Sequence, residues 1–266
     1  MYLELNKNPV YVATGGQAFD PELPTVVFLH GSGMDHRCWA LQTRWFAFHG
    51  YSVLAPDLPG HSLSGGEALA DIESMAGWLW QLLDQLGVKK ASLVGHSQGG
   101  LVALEAAAIQ PQRVRSVSMI ASAAAIPVNE QLLTMARDNQ PAAVRAMLNW
   151  GFGSVYHAGL SAIPGQAPIG IGSRIMNSNP LAVDLQACNS YTQGQQRAAN
   201  LEVPTQLVLA QQDRMTPAKA GRALADTLPD LRSLVELEDA GHMLPIEAPQ
   251  RCLAARREDA AGHRCG

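Results

Sequence analysis

The sequence predicts an α/β protein: a doubly wound, mostly parallel sheet carrying a helical insertion over one rim. Three observations carry this expectation. Short apolar runs alternate with helical patterns, as in a parallel sheet covered on both faces. That alternation stops between about residues 122 and 200 and then resumes. The pentapeptide Gly95-His96-Ser97-Gln98-Gly99 lies between an apolar run and a helical stretch, the setting of a sharp strand-to-helix turn that presents a serine.

The elements follow in order. Val10 to Thr14 reads as an edge strand. Thr25-Val26-Val27-Phe28-Leu29 is a buried strand ending at His30-Gly31, and Tyr51 to Ala55 is another, ending at Pro56-Asp57. Ile72 to Leu86 has helical spacing at Met75, Leu79, Leu82, Leu83 and Leu86, with Gly87 as its stop. Ala91 to Val94 leads into the pentapeptide, and Gly100 to Ala108 continues as helix. A strand at Val114 to Ile120 comes next. After the insertion come a strand at Thr205 to Ala210, a helix around Ala218 to Leu228 and a strand around Ser233 to Leu237. Short Val-, Leu- and Ile-rich strands spaced by helices favour the doubly wound arrangement.

Residues 1–121 and 201–266 are thus expected to form the core, and 122–200 a cap. The insertion has helical patches at Glu130 to Asn139 and Ala142 to Trp150, then a Gly/Pro-rich passage from Gly151 to Gly172. From 123 to 200 it holds seven charged residues: Glu130, Arg137, Asp138, Arg145, Arg174, Asp184 and Arg197. So little charge demands burial against something. The rim of the sheet, where ligands bind in open α/β folds, is the natural surface. After Leu253 no large apolar residue remains, so the last helix is expected to be short and its tail frayed.

A chain of 266 residues fits one α/β domain with an insertion. With 47% hydrophobic and 16% charged residues it has enough apolar side chains for a sizeable core. Nineteen basic against 23 acidic residues give a net charge of −4, which argues against a nucleic-acid partner. No run is long and apolar enough for a membrane span, and the N-terminus lacks the pattern of a signal peptide. Cys38, Cys188, Cys252 and Cys265 are scattered, the usage expected of reduced thiols in the cytoplasm. No histidine or cysteine spacing marks a metal site, and no cofactor is implied. His36, His49, His61, His157 and His263 show no ligand spacing, while His30 is expected to hold its loop and His96 to pack or orient. Oligomeric state is not readable.

A serine hydroxyl is a poor nucleophile until a base takes its proton, and a histidine base needs a carboxylate to fix its tautomer. Ser97 is the candidate nucleophile. Asp213 follows the strand ending at Ala210 and is the candidate acid; its competing reading is a turn or capping aspartate before Pro217. His242, after Gly241, is the candidate base, and Asp239 on the same loop reads as a turn residue. Backbone donors for an oxyanion come from Gln98, at the helix start, and from Ser32 in His30-Gly31-Ser32-Gly33-Met34, with Gly33 the less favoured choice. Gly31, Gly33 and Met243 are further candidates for the substrate side.

From about Val10 to Leu253 the chain resembles the α/β-hydrolase superfamily. The resemblance rests on Leu29-His30-Gly31-Ser32-Gly33, Ala55-Pro56-Asp57-Leu58-Pro59-Gly60-His61-Ser62, Gly95-His96-Ser97-Gln98-Gly99-Gly100, Asp213 with Thr216-Pro217, and Gly241-His242. It implies a Ser97–His242–Asp213 triad, with 122–200 as the family's cap. A serine nucleophile sets the chain apart from the dehalogenases and epoxide hydrolases of this fold, which use aspartate. The His-Gly-Ser-Gly start is similar to that of carbon–carbon bond hydrolases, but those carry tryptophan where Met243 stands here. The expected activity is hydrolysis of small to medium apolar carboxylic esters. Lactonase or carbon–carbon bond hydrolysis with the same triad are the alternatives. A remoter one is a ligand-binding protein on a hydrolase scaffold.

Overall fold

Five strands buried on both faces form the centre of the sheet: β3 (Thr25–Leu29), β4 (Ser52–Pro56), β5 (Ala91–His96), β6 (Val114–Ile120) and β7 (Thr205–Ala210). Parallel strands need apolar side chains on both faces, which is why these segments read as unbroken runs rather than alternating ones. In this computed structural model, which describes residues 1–154 and 167–262, they join β1 (Tyr2–Leu5), β2 (Asn8–Ala13) and β8 (Leu231–Leu237) in the order β1-β2-β4-β3-β5-β6-β7-β8. Among the described residues only β1–β2 and β2–β4 pair antiparallel. The doubly wound sheet of the sequence reading is therefore present.

The edge differs from expectation. The segment read as an edge strand, Val10 to Thr14, is β2 and lies one strand in; β1 is the edge. Asn6 and Lys7 both turn through positive φ, 53° and 64°, closing a two-residue hairpin. Such a turn normally announces itself with glycine, and this one does not.

Register brings the functional segments to one rim. Leu29 pairs with Gly95, His96 with Ile120, Ile120 with Val208, and Ala210 with Leu237. The loops leaving these strand ends carry Ser32, Ser97, Asp213 and His242. Strand order reverses between β3 and β5, which opens a crevice between the Ser32 loop and Ser97.

Alternation along the strands builds two apolar layers. Val27, Leu29, Leu93, Val117 and Leu207 face α2 (Ile72–Gln85) and α3 (Gln98–Ile109). Val26, Phe28, Val94, Ile120 and Val208 face the other way, against Trp39 and against Phe46 of α1 (Ala40–Ala47). Helix α2 is amphipathic, capped by Asp71, whose side chain accepts the Ser74 N–H at 2.6 Å, and stopped by Gly87 at φ +70°. Helix α3 is buried from Gln98 to Ala107, so small residues replace an amphipathic pattern. Its one acid, Glu105, is held by Tyr191 Oη at 2.7 Å and by the Arg197 fork at 2.8 and 3.0 Å.

Between β6 and β7 the insertion forms α4 (Glu130–Asp138), α5 (Gln140–Gly151), α6 (Pro168–Met176), α7 (Leu181–Ser190) and α8 (Gly194–Ala199). Leu132, Leu133, Val144, Met147, Leu148 and Leu185 join the second apolar layer, where its low charge is accommodated. The central part of the Gly/Pro-rich passage, together with His157, His263 and Cys265, lies outside the described residues.

After β7 comes α9 (Ala218–Ala225), shorter than expected because the chain turns at Asp226. After β8 come α10 (Leu244–Glu247) and α11 (Pro249–Gly262). The last helix is not short: it continues to Gly262. Small residues anchor it, with Cys252 and Ala255 buried and the Ala255 carbonyl accepting Gln206 Nε2–H at 2.9 Å. Among the described residues Cys38 and Cys188 are free thiols, Cys252 is buried, and no helix is long and apolar enough to cross a membrane.

The Asp71 cap gives a direct test of the helix assignment. Asp71→Ala is expected to lower stability by about 1 kcal/mol in urea denaturation, with the sheet unaltered by circular dichroism.

Candidate active site

Ser97 sits at φ 52°, ψ −118°, a backbone conformation that costs a non-glycine residue on the order of 1–3 kcal/mol. Its neighbours over-determine it. The Ser97 N–H donates to Ile120 O at 2.9 Å, and its carbonyl accepts the Gly100 N–H at 2.8 Å and the Ser122 hydroxyl at 2.9 Å. Close approach explains the flanking glycines. A Cβ on Gly95 would overlap the Gly99 carbonyl, and one on Gly99 would overlap the carbonyls of Leu29 and His30. The turn therefore binds α3 directly onto the end of β3.

His242 Nδ1 lies 2.8 Å from Asp213 Oδ2, with both residues buried. The other Asp213 oxygen accepts the N–H groups of Met215 and Thr216, each at 2.8 Å. A carboxylate so placed puts the imidazole proton on Nδ1 and leaves Nε2 as the acceptor. Asp239, by contrast, is half-buried and pairs with Arg251.

The insertion holds the histidine loop. The Gly151 carbonyl, at the end of α5, accepts both the His242 N–H (2.5 Å) and the Met243 N–H (3.1 Å). Glu247 accepts the Gly153 N–H at 2.9 Å from beneath. From the other side His96 Nε2–H donates to His242 O at 2.8 Å. Burial, helped by the adjacent His242, pushes His96 down to about 3, so it is a neutral donor. His96 thus orients the loop, as the sequence suggested, and its Nδ1 is left without a partner. Burial pushes the Glu247 carboxyl up to about 7, against the pull of the Gly153 and Gly241 N–H groups.

The Ser32 loop is a tight turn, Met34 N–H to Gly31 O at 2.9 Å, with Gly33 at φ +68°. The Gly33 N–H is taken by Asp184 Oδ2 at 2.6 Å. No acceptor among the described residues takes the N–H of Ser32 or of Gln98. Gly31 packs against His96, where a Cβ would come within 2.8 Å of its Nδ1. His30 holds the loop through Gly31 O (3.1 Å) and by accepting the Leu58 N–H (3.2 Å).

Sequence reasoning missed the residues that support this loop. Asp184 on α7 is fully buried and also accepts from His61 Nε2 at 2.9 Å; His61 Nδ1 meets Pro59 O at 3.0 Å. Burial opposes both charges. The pairing overrides it, raising His61 and, with the Gly33 N–H, lowering Asp184. Asn179 Nδ2 bonds the carbonyls of Gly33 (3.0 Å) and Met34 (2.9 Å), while its oxygen accepts the Ser62 N–H at 2.9 Å. The only signal in the sequence was the segment around Gly60-His61-Ser62, noted there without a role for His61.

His36, which had no ligand spacing in sequence, meets Asp35 and Asp57 in space. Their donor atoms are already engaged. Arg37 forks onto both Asp35 oxygens at 2.9 and 2.6 Å, and Asp57 accepts the N–H and Nδ1–H of His36, each at 2.8 Å. This group ties loops together. His49 stacks on Trp45 at 4.0 Å between ring centroids.

Ser97 and His242 border one cavity of about 210 Å³. Ser32 and Met243 line it from the core, and Ile126, Leu132, Met147, Trp150 and Leu185 from the insertion. Its wall is mainly apolar.

The Alpha/beta hydrolase family model matches residues 26–255. The chain belongs to this family. Over 111 residues this alpha/beta hydrolase is 40% identical to the dihydrolipoyllysine-residue acetyltransferase component of the acetoin cleaving system of Cupriavidus necator, covering 41% of this chain but only 28% of that protein. It is 28% identical over 238 residues to RutD of Pseudomonas savastanoi, a protein named for carbamate hydrolysis, with 86% of this chain and 90% of that one covered. The enol-lactonase of Burkholderia xenovorans LB400 has the same fold, with a TM-score of 0.86 over 97% of this chain and 98% of its own, at 23% identity.

Two charge tests follow for this alpha/beta hydrolase. The ordinary value for Glu247 is 4.5, and in the fold it is about 7. Between these values the folded chain keeps a proton that the unfolded chain has released, so this group lowers stability as pH rises through that window. Glu247→Gln is expected to flatten that fall, read from urea midpoints across the range. The Asp184–His61 pair acts in two directions. Its contribution is lost as pH rises through the raised His61 value, or falls through the lowered Asp184 value. At neutral pH, Asp184→Asn strands a buried cation and is expected to cost about 3–5 kcal/mol in urea denaturation.

Proposed function

We propose that this alpha/beta hydrolase cleaves carboxylic esters of small to medium apolar compounds through an acyl-enzyme on Ser97. The observation that carries the reading is the buried His242–Asp213 pair bordering, with the strained Ser97, a mainly apolar cavity. Ser97 Oγ attacks the ester carbonyl as its proton passes to His242 Nε2. Asp213 holds the imidazole in the accepting tautomer and stabilises the imidazolium that forms. The N–H groups of Ser32 and Gln98 receive the oxyanion, a contribution of roughly 3–4 kcal/mol for each donor. Gly33 is not part of that pair, because its N–H is committed to Asp184. The alkoxide leaves with the proton from His242, and water repeats the sequence to free the acid.

In this reading residues 122–200 are the cap on a core of 1–121 and 201–266, and the cavity between them selects substrates by size. A lactone is a cyclic ester and would pass through the same steps. The buried free thiols of Cys38 and Cys188 fit the cytoplasmic location we propose.

Ser97→Ala is expected to lose ester turnover by about 10⁴-fold or more and all labelling by a fluorophosphonate probe, with an unchanged fold. Retained turnover and labelling would remove Ser97 from the chemistry.

A further inference from the structure

We infer that Arg214 is an anion-binding residue of the cavity, and that the preferred substrate carries a free carboxylate on the part remote from the scissile bond. The inference rests on the ester-hydrolase reading and revises its substrate class, from wholly apolar esters to esters that are apolar near the scissile bond and charged at the far end.

Arg214 borders the cavity together with Ser97 and His242. Its backbone is fixed by the bonds that place the acid beside it. Asp213 Oδ1 accepts the Met215 and Thr216 N–H groups, while Gln211 and Gln212 N–H donate to Leu237 O (2.9 Å) and Ala240 O (3.0 Å). The side chain thus starts from a rigid loop immediately beside the reacting groups.

Among the described residues the guanidinium has no carboxylate partner. Among the described residues seven other arginines form ion pairs, and Arg214 forms none. The carboxylate of Asp213 is turned to His242. No acid lines the cavity among the described residues, and the stretch 155–166 contains none. Of the acids that adjoin cavity-lining residues in the insertion, Asp184 pairs with His61 and Glu130 with Arg137.

An arginine keeps its charge at any working pH and binds a carboxylate through two parallel N–H bonds. Beside apolar walls its positive potential is focused into the cavity. A neutral ester offers the guanidinium nothing comparable, whereas an ester or lactone with a distal carboxylate supplies the missing anion. Asn129, which also lines the cavity, has its oxygen fixed on the Leu132 N–H at 2.8 Å, which leaves its amide N–H groups as further donors. Arg214 is exposed, so water and salt weaken the bond and the preference is moderate.

The test compares p-nitrophenyl pentanoate with the mono-p-nitrophenyl ester of glutaric acid, equal in chain length and differing in the terminal carboxylate. Wild type is expected to favour the glutarate ester by roughly tenfold or more in kcat/KM, mainly through KM, and the ratio should shrink with added salt. Arg214→Met should collapse the ratio toward one, and Arg214→Lys should keep part of it. Calorimetry with glutarate on the Ser97→Ala protein reads the same site without turnover, and Arg214→Met should abolish that binding. Equal or inverse preference in wild type, or glutarate binding that survives Arg214→Met, overturns the assignment. Loss of fluorophosphonate labelling and of turnover on both esters would instead strike the ester-hydrolase reading, and glutarate calorimetry would still decide the role of Arg214.

Discussion

The close approach of α3 to the ends of β3 and β5 is the constraint on which the rest of the rim depends. Three glycines, Gly95, Gly99 and Gly100, let backbone meet backbone and the Ser122 side chain where any Cβ would collide. That contact forces Ser97 through its positive φ and places the start of α3 beside the turn after β3. The start of α3 at Gln98 and the turn that carries Ser32 stay side by side because these two pieces of chain cannot separate. A strained serine in isolation would relax; here hydrogen bonds from β6, the Ser122 hydroxyl and the helix itself hold it.

The insertion is a structural member of the site. Asp184 and Asn179 grip the Ser32 turn from above, and Gly151 grips the His242 loop. Burying Asp184 would be costly without the His61 imidazolium, so the pair is stable as a unit and fragile to loss of either half. The insertion's low charge has a physical reason: nearly all it possesses is spent on such bonds or exposed on its outer helices, and the rest joins the apolar layer of the sheet.

The sheet and the principal candidates were legible because each depends on local chemistry. Thr25–Leu29, Val114–Ile120 and Thr205–Ala210 read correctly since both faces of a central strand must be apolar. Ser97, Asp213 and His242 stood out because each follows a strand end, in the order that this fold requires. The supporting residues were not legible. Asp184 meets His61 across 123 positions, and nothing in the local pattern of either predicts the other. Nothing in the local sequence marks Glu247, and only burial between Gly153 and Gly241 distinguishes it. The β1–β2 hairpin was hidden because Asn6-Lys7 makes its turn without glycine. Likewise α11 continues on alanine and cysteine contacts that a search for large apolar residues overlooks.

The Gly151 carbonyl links two properties that enzymes often keep apart. Helix α5 brings Met147 and Trp150 to the cavity wall, and its last residue bonds the backbone on both sides of the histidine's carbonyl. Swinging α5 outward as a rigid body to admit a ligand would break both bonds and leave the His242 loop held by His96 and Asp213. A chamber opened along this helix therefore has a looser histidine loop while it is open. Passage that leaves the loop untouched must use the other walls, so access and loop order are coupled through one main-chain oxygen.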